Sequence, residues 1–215
     1  MGKLLLEDCL TTMHKNEIWY NYVFCGPPDF DELGWNPGKD WGKYLDFLER
    51  VFKGFKIETG AVTVAITDRK YDGGVIEKHA EIIRIMHELG YKYISQKIWN
   101  KSDKRNLYRL NYSFVMSFGK GKIKQNHNDD YEYDVWRVDN DKYDGYSYGF
   151  PTDIVERCVK NFTNKGDTVY DCFMGSGTTA VACLRTGRDY FGSEIDEATH
   201  KLSVKRLEEE EKKIL

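Results

Sequence analysis

The sequence contains no CxxC pair and no histidine–cysteine grouping at metal-ligand spacing. Its five cysteines, Cys9, Cys25, Cys158, Cys172 and Cys183, are odd in number and sit mostly in apolar runs. A disulfide framework is not expected; buried free thiols of a reducing cytoplasm are. No metal is expected. No apolar run approaches membrane-spanning length, so no membrane partner is expected either. The first eight residues are too short and too soon acidic for a signal peptide. Internal repeats and low-complexity segments are also missing. Net charge is only −3, so the chain as a whole does not read as a polyanion binder.

What is present is an ordinary globular balance, 40% hydrophobic and 31% charged over 215 residues. That suffices for one domain with a substantial core, taken here as 1–215. Charge is unevenly spread. Between Lys92 and Lys124, nine basic residues face one acid, giving +8 there and −11 elsewhere. Lys97, Lys101, Lys104, Arg105, Arg109, Lys120, Lys122 and Lys124 are the candidates for a polyanion contact. Asp129 to Asp144 is acidic and tyrosine-rich, as a surface insertion would be.

The pattern alternates strands and helices. Lys3–Asp8 reads as a short strand ending in acids. Glu17–Cys25 is aromatic and β-branched, a second strand, closed by Gly26-Pro27-Pro28-Asp29-Phe30. Trp41–Phe55 has apolar residues at helical spacing. Ala61–Thr67 is continuously apolar, as a strand buried on both faces is. Gly73–Gly90 reads as one amphipathic helix with a glycine stop. Tyr91–Trp99 and Tyr112–Phe118 are strand-like and could pair antiparallel. Asp153–Phe162 and Glu197–Leu215 read as helices. The expected fold is α/β, a mostly parallel twisted sheet with an antiparallel edge pair and helices on both faces. Gly119–Gly149 remains as an irregular insertion.

The richest stretch runs from Thr168 to Ile195. Apolar residues lead to Asp171, then to Gly175-Ser176-Gly177-Thr178-Thr179, then into a helix. Glycines there let a ligand approach the backbone, and the helix start offers free N–H groups. Glu194 ends the next strand, where a carboxylate can accept from both hydroxyls of a ribose. A nucleoside-containing cofactor fits this unit. In a parallel sheet the strand ends at Asp8, at Gly26–Phe30 and at Asp171–Thr179 share one rim, so all three can surround one site.

These residues resemble the amino-methylating DNA methyltransferases, which act on adenine N6 or cytosine N4 with S-adenosyl-L-methionine. The family's (D/N)PFxGSGTT is matched by Asp171 to Thr179, with Cys172 in place of proline. Its GRxYxGxE is matched by Gly187 to Glu194. Phe150-Pro151 and the helix after it fit the upstream proline turn. Because the Pro-Pro motif precedes the glycine turn, the order is that of the β-type permutation. The resemblance implies a Rossmann-like methyltransferase fold. It implies that Gly175, Ser176, Gly177, Thr178 and Thr179 hold the methionyl part of the cofactor and Glu194 its ribose, with Asp171 and Phe173 close by. Asp8 would take the adenine amine, and Phe150 and Pro151 would line the cleft. A capping role for Asp8 in the helix that follows is the alternative.

The catalytic motif departs from the pattern. The family has (D/N/S)PP(Y/F/W), in which the polar residue and a proline carbonyl hold the target amine and the aromatic stacks on a flipped base. Here Gly26-Pro27-Pro28-Asp29 stands in its place. Phe30 could stack if the motif is shifted by one, with Asp29 supplying the carboxylate. Direct methyl transfer to an exocyclic amine is the expected chemistry. The alternatives are a modified or non-standard base as acceptor, or a catalytically impaired homologue that binds cofactor or DNA only. A cytosine C5 mechanism through Cys25 and a dinucleotide dehydrogenase both fit worse: Cys25 lacks the Pro-Cys context, and the third dinucleotide glycine is missing. DNA is the expected partner, with a homodimer allowed. Gly119–Gly149 would be a short target-recognition insertion.

Overall fold

The computed structural model describes residues 2–15, 19–101, 110–123, 125–126, 133–141 and 149–214. The elements follow in order: β1 (Lys3–Leu6), α1 (Cys9–Lys15), β2 (Tyr22–Cys25), α2 (Trp41–Lys53), β3 (Gly60–Ile66), β4 (Arg69–Tyr71), β5 (Gly74–Ile76), α3 (Lys78–Glu88), β6 (Lys92–Asn100), β7 (Tyr112–Lys120), β8 (Val135–Arg137), α4 (Thr152–Phe162), β9 (Thr168–Asp171), α5 (Thr178–Thr186), β10 (Asp189–Glu194) and α6 (Glu197–Ile214). Eight strands form one sheet in the order β1-β10-β9-β2-β3-β7-β6-β8. Only β7 runs against its neighbours β3 and β6, and β8 closes the edge parallel to β6. The expected mostly parallel sheet with an antiparallel pair near one edge is thus observed.

Strand residues alternate between two cores, as the two-residue period of a pleat requires. In β2, Val23 and Cys25 face a core built with α1, α2 and α3, where Met13, Leu48, Phe52, Ile82 and Met86 pack. Tyr22 and Phe24 face the other, built with α4, α5 and α6, where Ile154, Val159, Val181 and Leu207 pack. Both faces are therefore covered, which is why β2 is buried at every position.

The sheet contains one switch point. From β2 the chain proceeds to β3 on one side; from β9 it proceeds through α5 to β10 on the other. β2 and β9 are adjacent but share only two register pairs, Tyr22 with Val169 and Val23 with Tyr170. Their C-terminal ends diverge there and open a crevice, the place where open α/β sheets bind ligands.

Three expectations need correction. Gly119–Gly149 is not irregular throughout, because β8 within it joins the sheet beside β6. Gly73–Gly90 is not one helix. Asp72 (φ 47°) and Gly73 (φ 75°) both take the left-handed conformation and turn a β4–β5 hairpin, so the helix starts only at Lys78. Two consecutive left-handed residues are the requirement of a tight hairpin turn, which Asp-Gly satisfies. Strand β2 is also shorter than Glu17–Cys25: it starts at Tyr22, Trp19 is exposed, and residues 16–18 lie outside the described residues.

Candidate active site

The glycine turn is built from below. Asp171 ends β9 and is 3% exposed. One of its oxygens accepts from the Phe173 N–H at 2.9 Å and the other from the Thr179 hydroxyl at 2.5 Å, tying the strand end to the first turn of α5. Burial pushes this carboxyl up to about 7, against the pull of those two donors. Gly175 and Gly177 take φ of 54° and 81°. Gly192, on the neighbouring strand, has the Asp171 carbonyl 2.8 Å from where a Cβ would stand, so only glycine lets the turn settle there. Glu194 folds over the turn: one oxygen accepts from the Gly175 N–H and the other from the Asp196 N–H, each at 2.9 Å.

From above, the turn is held by Arg206 of α6. This buried guanidinium donates to the Ser176 carbonyl and hydroxyl at 3.3 Å and to the Thr178 hydroxyl at 2.9 Å. Its other nitrogen donates to Thr152 at the start of α4 (2.9 Å) and to the Asp141 carboxylate (2.8 Å). Asp141 in turn accepts from the Thr152 N–H at 3.0 Å and from its hydroxyl. No sequence signal pointed to Arg206, which sits among the charges of the last helix.

Across the crevice stands Gly26-Pro27-Pro28-Asp29. The Pro28 carbonyl accepts from the buried Tyr44 hydroxyl at 3.0 Å. Asp29 is clamped: it accepts from the Phe30 N–H at 2.7 Å, from the Lys78 ammonium at 3.1 Å and from Arg69 at 3.4 Å. Lys78 is 1% exposed, and burial holds its pKa below the ordinary lysine value. A signal for it did exist, because Lys78 lies on the stripe that continues through Ile82, Ile85 and Met86. Gly26 faces Phe150; a Cβ at 26 would stand 3.2 Å from that ring. Phe150 itself packs against Trp99, with centroids 5.3 Å apart.

All these parts open into one cavity of about 880 Å³. Asp8, Gly26, Pro27, Pro28, Asp29, Phe150, Asp171, Phe173, Gly175, Ser176, Thr178, Thr179 and Glu194 line it, so most of the expected site residues meet. Asp8 caps α1, accepting from the Thr11 N–H at 3.0 Å, while still reaching the cavity wall. Phe30, Pro151 and Gly177 do not reach it. Phe30 is fully buried against Tyr44 (centroids 4.5 Å apart) and Trp41, so it cannot stack on a base. Pro151 is buried at the start of α4, and Gly177 lies behind the turn as the first residue before α5.

The basic candidates separate. Lys97 pairs with Asp134 at 2.9 Å. Lys101 turns into the cavity, where its ammonium donates to the Thr67 hydroxyl at 2.7 Å and lies 5.4 Å from the Trp99 ring centre. Lys120 and Lys122 belong to the opposite rim, because β7 runs antiparallel and Lys120 pairs with Gly60 at the start of β3. That is roughly 20 Å along the strand from the cavity end. Lys120 also lies over the Tyr91 ring at 4.1 Å. Lys104, Arg105, Arg109 and Lys124 lie outside the described residues. Among the described residues no histidine, cysteine or carboxylate group is arranged to hold a metal, all five cysteines are buried and free, and no helix is long and apolar enough to cross a membrane.

A family profile for DNA methylases of the N6/N4 class matches residues 20–205, which takes in both turns of the cavity. The chain belongs to this DNA methylase family. Among its curated relatives, the type II methyltransferase M.BglI of Bacillus subtilis is 33% identical over 180 residues, 75% of this chain and 50% of that protein. M.MjaI of Methanocaldococcus jannaschii is 23% identical over 71% of this chain and 62% of its own. This family member thus spans about half to two thirds of the length of these relatives. Its fold is shared with TTHA0409 of Thermus thermophilus complexed with S-adenosyl-L-methionine (TM-score 0.79, 22% identity, 98% and 94% of the two chains). It is shared equally with the cytosine-N4-specific PvuII DNA methyltransferase (TM-score 0.81, 17% identity, 99% and 92%).

Proposed function

We propose that this chain is a DNA methyltransferase that uses S-adenosyl-L-methionine to methylate the exocyclic amine of a base, adenine N6 or cytosine N4, drawn out of the duplex into the cavity. The observation that carries this is the meeting of the glycine turn after β9 and the Gly-Pro-Pro turn after β2 in one cavity at the sheet's switch point. The residues present suit the cofactor. Glu194 and Asp8 are acceptors at adjoining strand ends, since Leu6 pairs with Glu194. They match the ribose hydroxyls and the adenine amine, and Phe173 offers an apolar wall. Glu194 would exchange its Gly175 N–H for the hydroxyls. The cofactor supplies an electrophilic methyl group on a sulfonium centre.

At the acceptor end, no described residue donates to the Pro27 carbonyl, which leaves it for one hydrogen of the target amine. Orientation of the amine's lone pair toward the methyl is the main contribution of such contacts. Phe150 and Trp99, not Phe30, are the rings beside this end of the cavity. No cysteine nucleophile is called for, because an exocyclic amine attacks directly. DNA is the proposed partner. Incubation with labelled S-adenosyl-L-methionine and DNAs carrying unmodified or modified bases tests the assignment. Transfer to DNA is expected. Cofactor binding without transfer to any of them would leave a binding protein and end it.

A further inference from the structure

The acceptor end lacks the family's polar side chain, and the structure shows what stands there instead. Gly26 presents no acceptor, and Phe150 fills the space above it. The Asp29 carboxylate is held by Phe30, Lys78 and Arg69. Asp68, also on the cavity wall, is bound to the backbone and ring of His79 at 3.0 and 2.7 Å. Among the described residues that line this cavity, Lys101 is a cation whose acceptor is a hydroxyl, that of Thr67, and not a carboxylate. It reaches over from the end of β6 to Thr67, the residue after β3. Its ammonium lies 5.4 Å from the centre of the Trp99 ring, which packs on Phe150, the ring that faces Gly26. Lys101 and the Pro27-Pro28 turn thus line the same cavity around the Phe150–Trp99 pair.

We propose that Lys101 is the proton acceptor of the methyl transfer, taking over the side-chain contact to the target amine that Gly26 cannot make. This rests on the methyltransferase assignment above. The amine nitrogen's lone pair forms the new N–C bond, and the S–C bond breaks with its electron pair left on sulfur. The N–H proton passes to the lone pair of Lys101 Nζ, leaving an ammonium that later returns the proton to solvent. A neutral lysine still has two N–H groups, so it can donate to Thr67 while offering its lone pair to the substrate. The surroundings make that neutral form more accessible than it is for an ordinary lysine. Burial, and then the Lys78 charge, bring Lys101 down to about 8, with Asp29 pulling the other way. The charged groups that line this part of the cavity with it are Lys78 from α3, Asp29 and Glu32 after β2, Asp68 after β3 with its partner His79, and Arg69 and Lys70 from β4.

The test is the single-turnover rate of methyl transfer to saturating DNA between pH 6 and 10. The wild-type rate should climb tenfold per pH unit and level off above about 8. Lys101→Arg, always charged, should lose about a hundredfold or more in rate together with the rising limb. Lys101→Ala should regain rate in proportion to the free-base concentration of added ethylamine. Lys78→Met should move the limb to higher pH and Asp29→Asn to lower pH, which a purely structural lysine would not cause. Cofactor affinity, measured by titration calorimetry, should be unchanged in Lys101→Arg. If that variant does not fold, the opposite shifts in the Lys78 and Asp29 variants decide the matter. An active wild type whose Lys101→Arg variant keeps the rate and pH profile overturns the role of Lys101 alone. A wild type that binds cofactor but methylates nothing overturns the function itself.

Discussion

Replacing Arg206 by methionine tests whether the cofactor turn depends on a residue of the last helix. Methionine retains much of the length and all the apolar contact of the arginine stem, so the change isolates the guanidinium. Five hydrogen bonds to described residues disappear: two to Ser176 and one each to Thr178, Thr152 and Asp141. Breaking a buried ion pair by removing one partner costs about 3–5 kcal/mol. The cost here is smaller, because the Asp141 side chain is 35% exposed and keeps two donors from Thr152. Ser176 and Thr178 can also satisfy each other across their 3.4 Å separation. A loss of about 2–3 kcal/mol follows, or a fall of roughly 4–12 °C in Tm for a chain this long. Urea denaturation should show a lower midpoint at an unchanged slope. Cofactor affinity should fall as well, since the Ser176–Thr178 backbone is no longer pinned. Asp141→Asn in the same background should add less than it does alone, because the two residues share one network. A loss below about 0.5 kcal/mol with unchanged cofactor binding would refute the assignment of Arg206 as the clamp.

Three further outcomes are expected. Asp171, held up at about 7 against an ordinary value of 3.8, binds a proton in the folded state that the unfolded chain has released. Stability should therefore be highest below about pH 4 on this account, fall as pH rises through 7 and stay low above it. Asp171→Asn, with no charge to bury, should lack that decline, and melts at pH 5 and pH 8 that decline equally for both proteins would contradict it. Phe30→Ala should cost about 3–5 kcal/mol, as a buried ring in the core does, and a variant of wild-type stability would put the ring elsewhere. Lys122→Ala should leave the salt dependence of DNA affinity unchanged, since Lys122 follows Lys120 on the rim away from the cavity; a slope lowered by about one would show a phosphate contact there.

Much of the site was legible because local patterns set local structure. Asp171 to Glu194 carries its strand, turn and helix in apolar runs and glycines, and the structure follows them nearly residue by residue. The parallel sheet and its rim followed from strands alternating with helices. What escaped was set by partners far away in sequence. Phe30 looked free for stacking, but Tyr44 and Trp41 of α2 enclose it. Lys120 and Lys122 lay close in sequence to the basic loop, yet the reversal of β7 takes them to the other rim. Lys101 counted as one more surface charge until Thr67 and Trp99 placed it inside the cavity. The Asp72-Gly73 turn was a local signal, overridden by the helical periodicity after it.

The contact between Gly26 and Phe150 constrains which side chains position 26 can carry. An aspartate there would bring its Cβ to 3.2 Å from the ring. The ring would have to give by a few tenths of an ångström, against its packing on Trp99. A smaller residue at 150 would relieve that contact. Positions 26 and 150 are therefore coupled through one contact, and a carboxylate at 26 should be tolerated better beside a smaller residue at 150 than beside phenylalanine.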